Sequence, residues 1–261
     1  MRRPLDAREV ERYSRMGALF PIPVLTDAEV RHYRSALEEL EAVVGGTLKR
    51  LDAAHLFFPW AYRLATNDAV ADAVESVLGP DVLIDGTLIL CKYPNDPSYV
   101  SWHQDSVYSG WHLSPSVSAW VALSPSTRRS GCMRVIAGSH ERGLLAHEEV
   151  RDQDNLLRRG ERVGVEVDER DAIELELSPG EMSLHHCNII HGSNPNRSDE
   201  KRIGFIVRFV TSRVGRKDRP LVSVRGNPDP VRIDLAGEPT ETDPARALAN
   251  WKEFKRRKQS S

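Results

Sequence analysis

The sequence predicts a mainly β domain with flanking helices, in the size range of a β-barrel or β-sandwich. Short apolar runs separated by turn-forming residues fill positions 81–212, whereas positions 1–80 carry mainly helical patterns. A length of 261 residues, with 40% hydrophobic and 28% charged residues, suits one compact domain. We therefore expect a single domain over 1–261, with a β core at 81–212 and a C-terminal extension at 213–261.

The helical segments are marked by their ends. Ala7–Met16 is an amphipathic stretch and is followed by a strand entry at Gly17–Pro21. Thr26, with a Glu three residues later, has the spacing of a capping box and predicts the start of a second helix. A third helix is predicted over Ala69–Leu78, before Gly-Pro, and a last one over Pro244–Lys258.

Charge and cysteine content narrow the function classes. Lys and Arg total 36 against 38 Asp and Glu, so no overall basic field indicates nucleic-acid binding. No apolar run approaches the length of a membrane span, and the N-terminus lacks the apolar stretch of a signal peptide. Cys91, Cys132 and Cys187 form no CxxC pair, which indicates reduced thiols and a cytoplasmic protein.

A candidate metal site begins at His103-Gln104-Asp105. In a strand, residues i and i+2 point to the same face, so His103 and Asp105 can converge on one ion. With His191 downstream, they complete the two-histidine, one-carboxylate set of a mononuclear non-haem iron site. A lone H-x-D is weak evidence in a chain with 9 His and 38 Asp and Glu, so the prediction depends on its surroundings.

The second histidine and Arg202 supply those surroundings. Pro179-Gly180 is a turn signal, Met182–Leu184 is a predicted strand, and His191 follows an apolar entry. Arg202 opens another apolar strand, Arg202–Val210, where it can grip a carboxylate with two parallel N–H bonds. The alternative is a surface arginine beside a solvated turn.

The chain resembles the phytanoyl-CoA dioxygenase-like Fe(II)/2-oxoglutarate-dependent oxygenases. The ordered pieces that carry the resemblance cover most of its length: Thr26-Asp27-Ala28-Glu29-Val30, Trp102-His103-Gln104-Asp105, Trp120-Val121-Ala122-Leu123, Gly138-Ser139-His140, His191-Gly192-Ser193 and Arg202. The sequence departs from the family at Ser124–Gly131, where an acidic residue and Asn-Gly are common, and at Ala137, where proline is usual. Neither departure touches the metal motif.

The resemblance implies a double-stranded β-helix, the cupin-like jelly roll, with 2-oxoglutarate and O2 as co-substrates. It implies Fe(II) held by His103, Asp105 and His191, and 2-oxoglutarate salt-bridged by Arg202. By the same match Ser193, Lys92 and Gln104 are further co-substrate contacts. The implied reaction is hydroxylation of a small molecule, with decarboxylation of 2-oxoglutarate to succinate. An intact Asp105 disfavours halogenation, but desaturation, epoxidation and cyclisation at the same site stay open, as does the oligomeric state.

Substrate contacts are less defined by the sequence. Aromatic and cationic residues interrupt or flank the predicted strands, and each can instead belong to the core or to an ion pair. The candidates are Trp102, Tyr108, Trp111, Trp120, Arg134 and Arg208.

Among the remaining imidazoles, His140 is predicted to be structural, and His185 or His186 to lie near the metal ligands. We expect Cys187 to be a buried apolar residue.

Two other function classes are compatible with the metal motif. One is a cupin-like small-molecule binding protein in which the metal is structural or absent. The other is a non-redox isomerase or hydrolase, because the same ligands can hold Zn²⁺. Turnover of 2-oxoglutarate in the presence of Fe(II) separates both from an oxygenase.

Overall fold

The computed structural model describes residues 4–109, 115–157, 160–211, 213, 219–229, 231 and 233–259. The α-helices of these residues are α1 Ala7–Met16, α2 Asp27–Val44, α3 Pro59–Ala65, α4 Asp68–Leu78, α5 Ser106–Ser109 and α6 Pro244–Gln259. The strands are β1 Ala18–Pro23, β2 Arg50–Asp52, β3 Val82–Lys92, β4 Val100–His103, β5 Ser116–Ala122, β6 Met133–Ile136, β7 His147–Glu149, β8 Glu161–Val163, β9 Ala172–Leu175, β10 Glu181–His186, β11 His191–Ser193, β12 Arg202–Thr211 and β13 Val222–Arg225. None of the described helices is long and apolar enough to cross a membrane.

Local sequence signals define the helix ends. The predicted capping box at α2 is present: the Thr26 N–H donates to the Glu29 carboxylate at 2.7 Å, and Thr26 Oγ1 accepts from the Glu29 N–H. An equivalent box, Asp6 with Glu9, starts α1. Helix α1 ends at Gly17, whose φ of 75° suits glycine best. The predictions for α1, α2, α4 and α6 are therefore confirmed, α4 and α6 each differing by one residue at one end.

Two antiparallel sheets form the body of the protein. The larger has seven strands in the order β1-β10-β5-β12-β3-β13, with β2 also paired to β3. The smaller has four, in the order β4-β11-β6-β9. Strands far apart in sequence lie side by side in both sheets, so the chain winds between them as a jelly roll. The predicted double-stranded β-helix is confirmed.

The large sheet is covered on both faces, so its central strands are apolar on each side. Along β12, Phe205, Val207 and Phe209 pack with the N-terminal helices in the main core. Ile206, between them, points to the other face and joins Trp120 in a second apolar cluster between the sheets. This alternation has the period of two that a strand imposes. The second cluster walls the cavity in which the predicted metal ligands lie.

A β-bulge interrupts β3 at Asp85. Gly86 pairs with Arg208 of β12, but the next pair is Ile84 with Phe209, so Asp85 is the additional residue. The bulge reverses the alternation of the strand. Ile84 packs in the helix-side core, whereas Leu88, also at an even position, packs between the sheets.

Candidate metal centre and co-substrate pocket

The three predicted metal ligands converge. His103 is the last residue of β4, His191 is the first of β11, and the two are direct partners in the antiparallel ladder. Their ring centroids lie 4.1 Å apart. With Asp105, they present ligand atoms that all lie within 4.8 Å of one another, and all three residues are buried.

Asp105 reaches the site in a different way from the one expected. The sequence predicts His103 and Asp105 on one face of one strand. In the structure β4 ends at His103, and Asp105 lies in the turn before α5. The turn, and not strand alternation, directs its carboxylate back towards the imidazoles. The structure thus corrects the local geometry while keeping the expected convergence.

Backbone carbonyls orient both imidazoles for metal binding. His103 Nδ1 lies 2.9 Å from the Ser101 carbonyl oxygen, and His191 Nδ1 lies 3.1 Å from that of Ile189. A carbonyl only accepts, so each Nδ1 carries the proton and each Nε2 carries the lone pair. Burial, and then the nearby His103, hold the pKa of His191 well below its usual value. His191 is therefore neutral at pH 7, the form that binds a metal.

Three polar side chains hold the Asp105 carboxylate. Ser118 Oγ donates to Oδ2 at 2.6 Å, Arg208 Nη2 donates to Oδ1 at 3.2 Å, and His185 Nε2 lies 3.4 Å from Oδ2. Burial opposes ionisation, but the Arg208 cation, together with the hydrogen bond from His185, outweighs it and holds the pKa of Asp105 well below its ordinary value. The carboxylate is therefore charged and fixed in direction.

Sequence reasoning missed Ser118 and named His185 only as one of two candidates. Ser118 lies on β5, and His185 lies opposite it on β10. His186 faces away, with its ring 5.1 Å from that of His140, so His185 is the histidine beside the metal ligands. His140 Nε2 contacts the Ser14 carbonyl oxygen at 2.9 Å, in agreement with its predicted structural role. Strand alternation was the signal that could have identified Ser118.

Arg202 lies in the same cavity as the metal ligands. It is only 2% exposed, and its guanidinium carbon lies 4.8 Å from the Trp120 ring centroid. One nitrogen donates to the Gly131 carbonyl oxygen at 2.9 Å, but Nε is buried without a hydrogen-bond partner among the described residues. Burial lowers the pKa of Arg202 to about 10, which leaves it cationic at pH 7. A buried guanidinium with an N–H that lacks a hydrogen-bond partner is a site for an anion.

Ser193 lines this cavity, and Lys92 lies behind it. Lys92 Nζ donates to Ser193 Oγ at 2.7 Å and also to the carbonyl oxygen of Asn194. Burial, and then the neighbouring Arg202, hold the pKa of Lys92 well below its usual value. Lys92 is thus placed to orient Ser193, which itself reaches the cavity.

Gln104 does not reach the cavity. Its amide nitrogen donates to the carbonyl oxygens of Gly143 and Asn188 at 2.8 and 2.6 Å, and its amide oxygen accepts from the Leu145 N–H at 2.8 Å. These bonds tie the metal-binding turn to two loops. The side chain is fully buried on the side away from the residues that line the cavity.

The substrate candidates separate into two groups. Trp120 and Arg208 line the cavity beside the metal ligands. Trp102 and Arg134 do not: the Arg134 guanidinium lies 4.8 Å from the Trp102 ring centroid, and both side chains bind Glu169. Strand alternation explains this, because Trp102 precedes His103 and points to the opposite face. Trp111 lies outside the described residues, as does the side chain of Tyr108. Cys187 is buried, as expected.

A jelly roll that brings two histidines and a carboxylate together beside a buried arginine defines a non-haem metal-dependent oxygenase. A model of the family described as phytanoyl-CoA dioxygenase (PhyH) matches residues 13–204. The chain therefore belongs to the PhyH family, and it is an Fe(II)- and 2-oxoglutarate-dependent dioxygenase.

Individual relatives agree with this family. The ectoine dioxygenase of Sphingopyxis alaskensis is 26% identical over 279 residues, which cover 93% of this chain and 90% of that protein. Human peroxisomal phytanoyl-CoA dioxygenase is 24% identical over 155 residues, 58% of this chain and 46% of that protein. Among solved structures, the non-haem monooxygenase ThoJ in its apo form superposes with a TM-score of 0.80 at 31% identity and covers 96% of both chains.

Proposed function

We propose that His103, Asp105 and His191 hold Fe(II), that Arg202 binds the distal carboxylate of 2-oxoglutarate, and that the enzyme hydroxylates a small molecule. One observation carries this proposal: the three ligand atoms and the unmet N–H of buried Arg202 face the same cavity. A structural metal or a zinc hydrolase does not require an anion-binding arginine beside its ligands.

The donor set fits Fe(II). Two imidazoles with Nε2 lone pairs, together with one ionised carboxylate, would hold the ion and leave room for co-substrates. Ser118 and Arg208 keep the Asp105 carboxylate directed at the ion. Bound iron supplies the oxidative decarboxylation of 2-oxoglutarate to succinate and the activation of O2.

The protein's own residues position the co-substrate and exclude water. Arg202 and the Ser193 hydroxyl provide donors for one carboxylate, and Trp120 holds the guanidinium in place by stacking. Lys92 fixes Ser193 without entering the cavity. Leu88, together with the rest of the apolar cluster between the sheets, excludes water from the reacting face.

The proposal also specifies the reaction type, hydroxylation, and the kind of substrate, a small molecule. Asp105 retains the carboxylate, so the coordination position that a halide would need is filled. A net charge of −2 provides no field for nucleic acid. The named relatives act on ectoine and on phytanoyl-CoA, two small molecules of different chemistry. The three buried free cysteines favour a reducing, cytoplasmic location.

The test is conversion of 2-oxoglutarate to succinate by purified protein with Fe(II) under air, followed by a substrate screen and product mass spectrometry under ¹⁸O₂. We expect turnover in the wild type, none in Asp105→Ala, and normal turnover in His32→Ala, which removes an exposed histidine. One labelled oxygen in the product supports hydroxylation. Loss of two hydrogens without oxygen gain indicates desaturation, and turnover in Asp105→Ala contradicts the ligand assignment.

A further inference from the structure

A second cavity lies directly beside the metal centre. Its volume is about 250 Å³, and it shares Leu88, Leu157 and Arg208 with the cavity that holds the metal ligands. Arg208 is the link between the two, because it binds the Asp105 carboxylate on one side and lines the second cavity on the other. A molecule in the second cavity is therefore one side chain away from the reacting face.

Asp85 enters this cavity because of the bulge in β3. A bulge re-aims the additional residue, and here it directs a carboxylate inward that is almost completely buried. Its two oxygens share a single donor, Arg219 Nη1, at 3.4 Å each, and no other partner is found among the described residues. A buried carboxylate has about four acceptor positions. Asp85 is under-bonded and requires a further donor.

His55 adds a buried polar group without a partner. It is 1% exposed, it lines the same cavity, and its Nε2 has no hydrogen-bond partner among the described residues. Thr87 Oγ1 accepts from the His55 backbone N–H and lies 2.9 Å from Nδ1. Among the described residues the buried Thr87 hydroxyl finds an acceptor only at Nδ1, and donation to it places the imidazole proton on Nε2. His55 thus presents an N–H donor to the cavity.

Arg50, Asp52 and Lys255, also in the wall, have hydrogen-bond partners of their own. Asp52 accepts from Arg50 at 2.6 Å and from Lys255 of α6 at 2.8 Å, and Arg50 also donates to the Leu156 carbonyl oxygen. This network needs no ligand to satisfy it. The groups left for a bound molecule are therefore one carboxylate, Asp85, and three donors: Arg219, His55 Nε2 and Arg208 Nε, which is also buried without a partner among the described residues.

We propose that this cavity binds the primary substrate and that the substrate is a free α-amino acid or a close zwitterionic relative. Its ammonium group binds Asp85, and its carboxylate binds Arg219 and His55. The side chain of the substrate then extends past Leu88 and Leu157 towards the metal. This inference rests on the proposed oxygenase function and adds the substrate class.

The experiment titrates the protein, loaded anaerobically with Fe(II) and 2-oxoglutarate, with the free proteinogenic amino acids by calorimetry. The amino acid that binds most tightly is then compared with its N-acetyl derivative and its methyl ester. We expect each derivative to bind the wild type at least tenfold more weakly, because each removes one of the two charges. Asp85→Asn and Arg219→Gln should each weaken binding of the free amino acid at least tenfold.

Glu148 and Arg162 provide the matched control. They form an exposed ion pair, also at 3.4 Å, between β7 and β8. Glu148→Gln and Arg162→Gln should leave amino-acid binding unchanged, and all four variants should bind 2-oxoglutarate as the wild type does. Thermal unfolding checks that each variant is folded.

Two results would overturn the substrate class. One is that no amino acid binds although Fe(II) and 2-oxoglutarate do. The other is that folded Asp85→Asn and Arg219→Gln bind the amino acid as tightly as the two control variants. Failure of wild-type protein to bind 2-oxoglutarate contradicts the proposed function instead, and amino-acid binding measured without it still decides whether this cavity is the site.

Discussion

Trp120 and Arg202 form a stacked pair across two neighbouring strands, with the guanidinium carbon 4.8 Å from the indole centroid. The pair is possible because residue 204, on the strand of Arg202, is glycine. A Cβ at Gly204 would overlap the indole carbons and nitrogen of Trp120. The position of the co-substrate anchor therefore depends on a missing side chain two residues away.

Gly204→Ala should displace the Trp120 indole. We expect a loss of about 1–3 kcal/mol in the free energy of unfolding, as for other overpacked cores, together with a higher KM for 2-oxoglutarate. Urea unfolding and succinate formation measure the two effects. Gly46→Ala is the control, because a Cβ there meets no atom within 4 Å. A wild-type KM in Gly204→Ala would show that the stacked geometry is not needed.

Arg202→Ala should weaken 2-oxoglutarate binding by about 2–5 kcal/mol, because it leaves a buried carboxylate without its charged partner. Iron binding should be retained, since Arg202 contacts none of the three metal ligands in the described hydrogen bonds. Calorimetry on the iron-loaded protein measures the affinity. Arg129→Ala, at an exposed ion pair with Asp199, is the control. An unchanged affinity for 2-oxoglutarate in Arg202→Ala would mean that another cation binds its carboxylate.

Ser118→Ala should lower the iron affinity about 10–100-fold, because the Asp105 carboxylate loses the donor that fixes its direction. A competition assay with a chromophoric chelator measures this. Ser183→Ala on neighbouring β10 is the matched control: Ser183 is equally buried, but its hydroxyl has no partner among the described residues. Equal iron affinity in both variants would mean that Arg208 and His185 are sufficient to orient Asp105.

Burial lowers the pKa of His55 from 6.5 to about 4. Between pH 6.5 and pH 4, His55 is protonated in the unfolded chain but neutral in the folded chain. The free energy of unfolding therefore falls as the pH falls from 6.5 towards 4. At about 1.4 kcal/mol for each pH unit, the full effect is roughly 3 kcal/mol. Denaturant unfolding at several pH values should show a smaller slope in His55→Leu and the wild-type slope in His32→Leu. Identical slopes in all three proteins would contradict a neutral, buried His55.

Local signals in the sequence predicted the helices and the convergence of the metal ligands. The capping pair Thr26 and Glu29 acts within one helical turn, so its outcome does not depend on the rest of the fold. His103, Asp105 and His191 could be named because few residue types bind iron and the resemblance ordered them along the chain. Arg202 was identified by its position at the start of an apolar strand.

The remaining site residues depend on which face of a strand is turned inward, and the sequence does not fix that in advance. Trp102 and Arg134 were candidates by residue type but point away from the cavity. Gln104 lies between two metal ligands in sequence, but its amide nitrogen donates to two loop carbonyl oxygens. Ser118 shares a face of β5 with Trp120, but the sequence does not show that Asp105 lies against it.

The bulge at Asp85 makes β3 tolerant of a change in length at one point. Asp85 and Gly86 together lie opposite Arg208, so deletion of Asp85 would leave a regular ladder in which Ile84, Leu88 and Ile89 keep their present faces. Such a deletion would remove the carboxylate that the bulge directs into the second cavity. A relative without the additional residue would therefore keep the sheet and lose this one acidic group.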